Sequence, residues 1–347
     1  MDTLRVRPYD ATASEQHWDK RGIFKWICFQ VRSWHGDIFY RQRDSASLMT
    51  VHSHDRPSTA DRPLFSVIVP FLNEERRLPQ CLAALRAQSI DPGLVEWILI
   101  DNDSTDRSAE IVRAEPRATM LAEPRRDPYL ARNRGILAAR GRFIAFLDAD
   151  CLAEPDWLTI MQQDLAQADA AILIGSLGYP SPRSLSLQLH EDYEDAKLRQ
   201  ILEHEPSACW FGHAGNMLVR ADVFAEIGLF ELMPVVGDTE IIHRLRHLHP
   251  DAVIRYVPAA RVIHAEVDSF RMCLAKTYEI GAHSETLSRV SPYRPLTLAE
   301  RLRVASRCCH MHGYGPARRL ALWSILALGY AAFVAGRIAR GFARRGS

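Results

Sequence analysis

Asp148 and Asp150 stand two positions apart, directly after the apolar run 142–147, which reads as a buried strand. Carboxylates that close at the mouth of a core strand repel one another and lose hydration unless something compensates them. A hard divalent cation such as Mg2+ or Mn2+, shared with substrate phosphates, resolves the conflict. The plain alternative is a solvated turn in which an Asp caps the next helix. Two further polar clusters follow apolar runs in the same way. Asn73 and Glu74 come after a run that ends at Pro70, and Asp101 and Asp103 come after 96–100. Asp238, ahead of Thr239 and Glu240, has the place of a helix cap and the chemistry of a general base.

Elements of regular alternation must position these groups. The pattern predicts strands over 65–70, 96–101, 119–122 and 142–147. Between them it predicts helices over 74–88, 105–113 (capped by Ser104) and 130–140 (closed by Gly141). Strands and helices alternating at this length imply a mostly parallel α/β sheet with right-handed crossovers, whose ligands sit beyond the carboxyl ends of the strands. The three polar clusters all fall at that edge. Beyond Gly178 the pattern is less regular, with helices over 186–202, 238–249 and 268–287 and a strand over 217–220. Residues 296–347 read as helical throughout.

An ordered series of motifs over about residues 65–270 resembles glycosyltransferase family 2, whose members have the Rossmann-like GT-A fold. It runs from Val67 to Pro70 with Asn73 and Glu74, through Asp101 to Asp106, Ala131 to Gly135 and Asp148 to Asp150. It continues with Gly215 and Asn216, Asp238 to Glu240 with Arg244, and ends at His264. The resemblance implies a metal-dependent, inverting transfer of sugar from a nucleotide-diphosphate donor to a hydroxyl acceptor. Pro70, Asn73, Glu74, Asp101, Asp103, Arg132 and Asp148 would bind the donor. Asp148, Asp150 and His264 would hold the metal, Asp238 would be the catalytic base, and Trp210, Gly215, Asn216 and Glu240 would meet the acceptor. The cation would neutralise the departing diphosphate while one carboxylate takes the hydroxyl proton. Many members carry Glu-Asp at the base position. Here it reads Gly237-Asp238, which keeps the base and drops its acidic neighbour.

The rest of the chain bounds the setting. Residues 1–62 read as an extension and linker, with an aromatic, amphipathic stretch over 23–40. Residues 63–290 form the catalytic domain and 291–347 a helical tail. Between Arg319 and Arg337 no residue is charged, and 320–336 as a helix rises about 26 Å, slightly short of a bilayer core of about 30 Å. A tilted span, a helix in the interface and a helix packed on the domain all fit that segment. Seven scattered cysteines and the lack of a secretory signal point to reduced thiols and a cytoplasmic location. A formal net charge of +1 argues against a mainly electrostatic nucleic-acid partner. These features point to the cytoplasmic face of a membrane. For an enzyme so placed, the resemblance to glycosyltransferase family 2 implies a lipid-linked or polysaccharide acceptor, in cell-envelope or extracellular polysaccharide or glycolipid synthesis. Two other readings remain. One is a catalytically silent nucleotide-sugar-binding or scaffold protein. The other is a nucleotidyltransferase, which the missing lysine-rich phosphate loop disfavours.

Overall fold

Strand β1 (Phe65–Phe71) is buried throughout, and apolar but for Ser66, because helices cover both of its faces. Its side chains alternate between two cores. Val67 and Val69 join one, with Leu78, Leu82 and Leu85 of helix α1 (Leu78–Arg86) and Trp157, Leu158 and Met161 of α4 (Trp157–Gln167). Ile68 joins the other, with Tyr129 and Ile136 of α3 (Pro128–Ala138), Ile201 of α5 (Leu185–His204) and Ile241 and Ile242 of α7 (Gly237–Leu248). This is a three-layer α/β/α sandwich. The computed structural model describes residues 62–204, 210–232, 236–290 and 294–343. The N-terminal extension and its aromatic stretch lie outside the described residues.

The remaining strands are β2 (Val95–Asp101), β3 (Ala118–Ala122), β4 (Phe143–Phe146), β5 (Cys151–Ala153), β6 (Ile172–Gly178), β7 (Met217–Arg220) and β8 (Ile254–His264). Their order in the eight-stranded sheet is β3-β2-β1-β4-β7-β6-β8-β5. The half from β3 to β4 is parallel, as the alternation predicts. The other half is mixed: β7 runs antiparallel to β4 and β6, β8 is parallel to β6, and β5 is antiparallel to β8. The β6–β8 ladder is interrupted. Gly175 lies opposite Val257, but the next residue, Ser176, lies opposite Arg261. A chain segment bulges out of β8 between those pairs.

Two sequence expectations change. The helix expected over 105–113 starts only at Ser108, as α2 (Ser108–Arg113), because the preceding polar side chains bind neighbouring loops instead. The expected continuous helical tail is two helices, α9 (Leu298–Met311) and α10 (Pro316–Ala343), parted at Gly313, whose φ of 59° favours glycine. Residues α6 (Ala221–Ile227) and α8 (Phe270–Val290) complete the helices. A third core joins Leu189 and Tyr193 of α5 to Val304 and Cys308 of α9 and Leu322 and Ile325 of α10. Residues 58–347 thus form one compact unit.

Candidate active site

Hydrogen bonds between the first two strand-end loops shape one wall of the site. Asn73 and Asp103 adopt φ of 56° and 70°, a left-handed conformation that Asn and Asp tolerate better than most residues. Asn73 Oδ1 accepts from the Thr105 amide at 2.8 Å, and the Glu74 amide donates to Ser108 Oγ at 2.7 Å. Asp101 Oδ1 accepts from the Ser104 amide at 2.9 Å, and Arg126 Nε donates to Asp103 Oδ2 at 2.9 Å. Buried Asn102 donates to the Glu123 carbonyl at 3.0 Å, tying in a third loop. Pro70 is buried in β1 opposite Ile100. Burial pushes the Glu74 carboxyl up, Arg77 at 3.3 Å pulls it down, and the charges of Asp150 and Glu266 push it up further.

Asp148 follows β4 and meets a cation supplied by α3. Arg132, buried, donates to Asp148 Oδ1 at 2.5 Å, and its guanidinium lies 5.4 Å from the centre of the Tyr129 ring. Tyr129 and Arg132 share a face of α3 because they are three residues apart. Burial raises the Asp148 pKa, but the Arg132 charge and hydrogen bond more than offset this and hold it below the usual carboxylate range. Tyr129 also reaches α7, where its hydroxyl accepts from the Gly237 amide at 2.8 Å. A Cβ on Gly237 would stand 2.8 Å from the Tyr129 ring. The glycine beside the expected base is therefore required by the tyrosine that packs there. Asp238 accepts from the Ala214 amide at 3.0 Å and the Thr239 amide at 2.9 Å, and burial raises its pKa.

Asp150 and His264 meet across the β5–β8 pair. His264 Nδ1 lies 3.5 Å from Asp150 Oδ2, is buried and has no hydrogen-bond partner. Cys151 is buried beside them, and the ligand atoms of the three residues lie within 4.8 Å of one another. Lys276 of α8 donates to His264 Nε2 at 2.8 Å and lies 3.5 Å from Glu266. Burial and the Asp148 charge push Asp150 up to about 6, while burial and Lys276 push His264 down to about 4. An orphaned imidazole nitrogen beside a destabilised carboxylate is a donor set that fits a divalent cation.

The residues expected at the acceptor do not all reach this cleft. Asn216 is fully buried, and its Nδ2 donates to the Ser176 and Ala260 carbonyls at 2.8 Å. Its Oδ1 accepts from Trp157 Nε1 at 2.8 Å, so it fastens the β8 bulge rather than a ligand. Trp210 is packed in the core beneath Arg246, whose guanidinium is 4.7 Å from the ring centre. Glu240 is buried and bound by Arg244 at 2.9 Å. Gly215 does lie at the site, where a Cβ would come to 3.2 Å from Asp148 Oδ2. The sequence reading missed Tyr129, which its spacing from Arg132 could have flagged. It also missed Lys276, which no local motif marks.

Comparisons with known proteins bear on the family and the fold. Residues 66–228 match the family described as Glycosyl transferase family 2. The chain is 26% identical over 178 residues to Glycosyltransferase AglE of Haloferax volcanii, covering 50% of this chain and 57% of that protein. It is 39% identical over 110 residues to Succinoglycan biosynthesis protein ExoO of Rhizobium meliloti, covering 31% of this chain and 32% of that one. The chain thus spans little more than half the length of these relatives, or less. Its fold resembles that of a mannosyltransferase from Pyrobaculum calidifontis solved in complex with GDP-Man and Mn2+. The TM-score is 0.53 at 17% identity, over 94% of this chain and 89% of the other.

Proposed function

Since residues 66–228 are a glycosyltransferase family 2 domain on a GT-A fold, we propose that the protein is a metal-dependent, inverting glycosyltransferase. It takes a sugar from a nucleotide-diphosphate donor and passes it to a hydroxyl of a lipid-linked or polysaccharide acceptor. The observation that carries this reading is the gathering at one sheet edge of Asp148 and Asp150 from the turn between β4 and β5, Asp238 from the first turn of α7 and His264 from the end of β8.

The loops at Asn73 and Asp101 cradle the nucleotide, and Arg132 holds Asp148 ionised at the donor. Asp150 and His264 would hold a divalent cation, with the Cys151 thiol beside them. When bound, that ion supplies positive charge to the departing diphosphate. Lys276, which donates to His264 Nε2, also lies 3.5 Å from Glu266. Asp238 takes the proton from the attacking hydroxyl. Its two backbone hydrogen bonds fix the carboxylate, and burial brings its basicity nearer to that of a working base. With Asp238 as the base, transfer is a single displacement that inverts the anomeric centre.

The acceptor approaches on the α5 side, where Lys197 lies 4.5 Å over the Phe211 ring and His213 keeps a buried Nε2 with no hydrogen-bond partner. The relatives include a succinoglycan biosynthesis protein, which supports a place in extracellular polysaccharide or cell-envelope glycolipid synthesis. Work at the cytoplasmic face of a membrane suits the reduced cysteines and the apolar helix α10. Thermal shift with UDP, GDP and TDP, with and without Mn2+, tests the donor site on wild type and Asp150→Ala. Metal-dependent stabilisation by one nucleotide, lost in the variant, is the expected result. No stabilisation of the wild type by any nucleotide would favour a catalytically silent scaffold.

A further inference from the structure

Helix α10 is held by the folded chain along one face and bare along the other. Inward, Leu322 and Ile325 are buried against α5 and α9. Further along, Gly336 rests on α8 so closely that a Cβ would come to 2.0 Å from the Tyr278 carbonyl. Outward, Leu320, Trp323, Leu328, Tyr330 and Ile338 are between 38% and 70% exposed. From Leu320 to Ile338 the helix rises about 27 Å. An apolar strip of that length does not suit water. Arg318, Arg319 and Arg337 bracket it, and α10 contains no acidic residue. Aromatic rings among apolar side chains, on a helix whose own charges are all positive, match the edge of an anionic bilayer.

The helix is long and apolar enough to cross a membrane by length and composition, but its neighbours are not. α5 carries Glu191, Asp192, Glu194 and Asp195, and α8 carries Lys276 and Glu279. A span would draw these charges into hydrocarbon, or would strip α10 from the core that buries Leu322 and break the hydrogen bond from Tyr314 to Asp192 at its base. Lying flat does neither.

We propose that α10 lies in the plane of an anionic lipid surface, its Leu320–Ile338 face sunk to the headgroup boundary, and does not span. The proposal takes only the membrane setting from the function above. On this placement α5 joins the two sites, with Leu189 and Tyr193 in the core it shares with α10 and Lys197 over the Phe211 ring.

The test is flotation of the full chain with vesicles of phosphatidylcholine, alone or mixed with phosphatidylglycerol. The chain should float with the mixed vesicles and be released by alkaline carbonate. Trp323 should be quenched by lipids brominated near the top of the acyl chain and not near its end, with Trp323→Phe isolating its signal. Leu328→Asp should weaken flotation about tenfold, and Arg337→Glu about fivefold. Both residues are exposed, so circular dichroism should stay that of wild type. Resistance to carbonate would establish a span and overturn the proposal. Equal flotation of Leu328→Asp would place the lipid contact elsewhere in the chain and overturn it too, as would no flotation at all. Nucleotide binding is read on the same samples without vesicles. Its failure would remove the donor site and leave the lipid result standing.

Discussion

Asp238 keeps both carboxylate oxygens on backbone amides, so its orientation is set before any substrate arrives. Asp238→Asn preserves that shape and removes the base. Turnover should fall about 10²- to 10⁴-fold, while donor binding by thermal shift stays unchanged. Asp150 gives a pH signature. Its pKa is pushed up to about 6, so the proton competes with a cation below that value. Mn2+ affinity should be flat above neutrality and weaken about tenfold per unit as pH falls below about 6, read by titration calorimetry. His264, held down at about 4, does not join the competition until lower pH. Asp148 and Asp150 were legible in the sequence because they follow one apolar run, and Asp238 because it precedes a helical pattern. Lys276 was not, since its relation to His264 depends on how α8 folds back across the sheet end. Asn216 binds backbone carbonyls and Glu240 binds Arg244, partners that no local pattern in the sequence marks.

Element boundaries show the same division. The strands of the parallel half were readable because burial on both faces leaves near-continuous apolar runs. The start of α2 was not, since Ser104, Asp106 and Ser108 serve loops that are remote in sequence. At α9 the local signal and the structure agree: Thr297 accepts from the Glu300 amide, and Glu300 returns a bond to the Thr297 amide at 2.6 Å. Thr297→Ala should lower stability by about 1 kcal/mol in thermal unfolding. The Glu300 carboxyl is held down at about 2, chiefly by its hydrogen bonds to Arg294. Its unfolded value is near 4.5, so the stabilisation is complete above that pH and is lost as pH falls towards 2. Glu300→Gln should therefore flatten the acid limb of the melting curve.

At the scale of the molecule, the tail and the catalytic sheet are one body. Gly336 and Gly281 let α10 and α8 approach backbone to backbone, and Gly336→Leu should force them apart and lower stability by about 1–3 kcal/mol. In the half of the sheet beyond β4 the sequence reading found β7 and missed β5, β6 and β8, because those strands are short, mixed in direction or broken. β8 shows what the break achieves. Before the bulge, Ile254 and Tyr256 face the layer of α3, α5 and α7; after it, Ala260 and Val262 face the layer of α1 and α4. Even-numbered residues change sides within one strand. β8 advances four residues, from Val257 to Arg261, where β6 advances one. The surplus is three, and an odd surplus inverts the parity of everything downstream. His264 shares its parity with Val262 and so emerges beside Asp150 and Cys151. Deleting Ala259 would leave an even surplus, and the strand could stay paired to β6 while presenting its imidazole to the wrong layer.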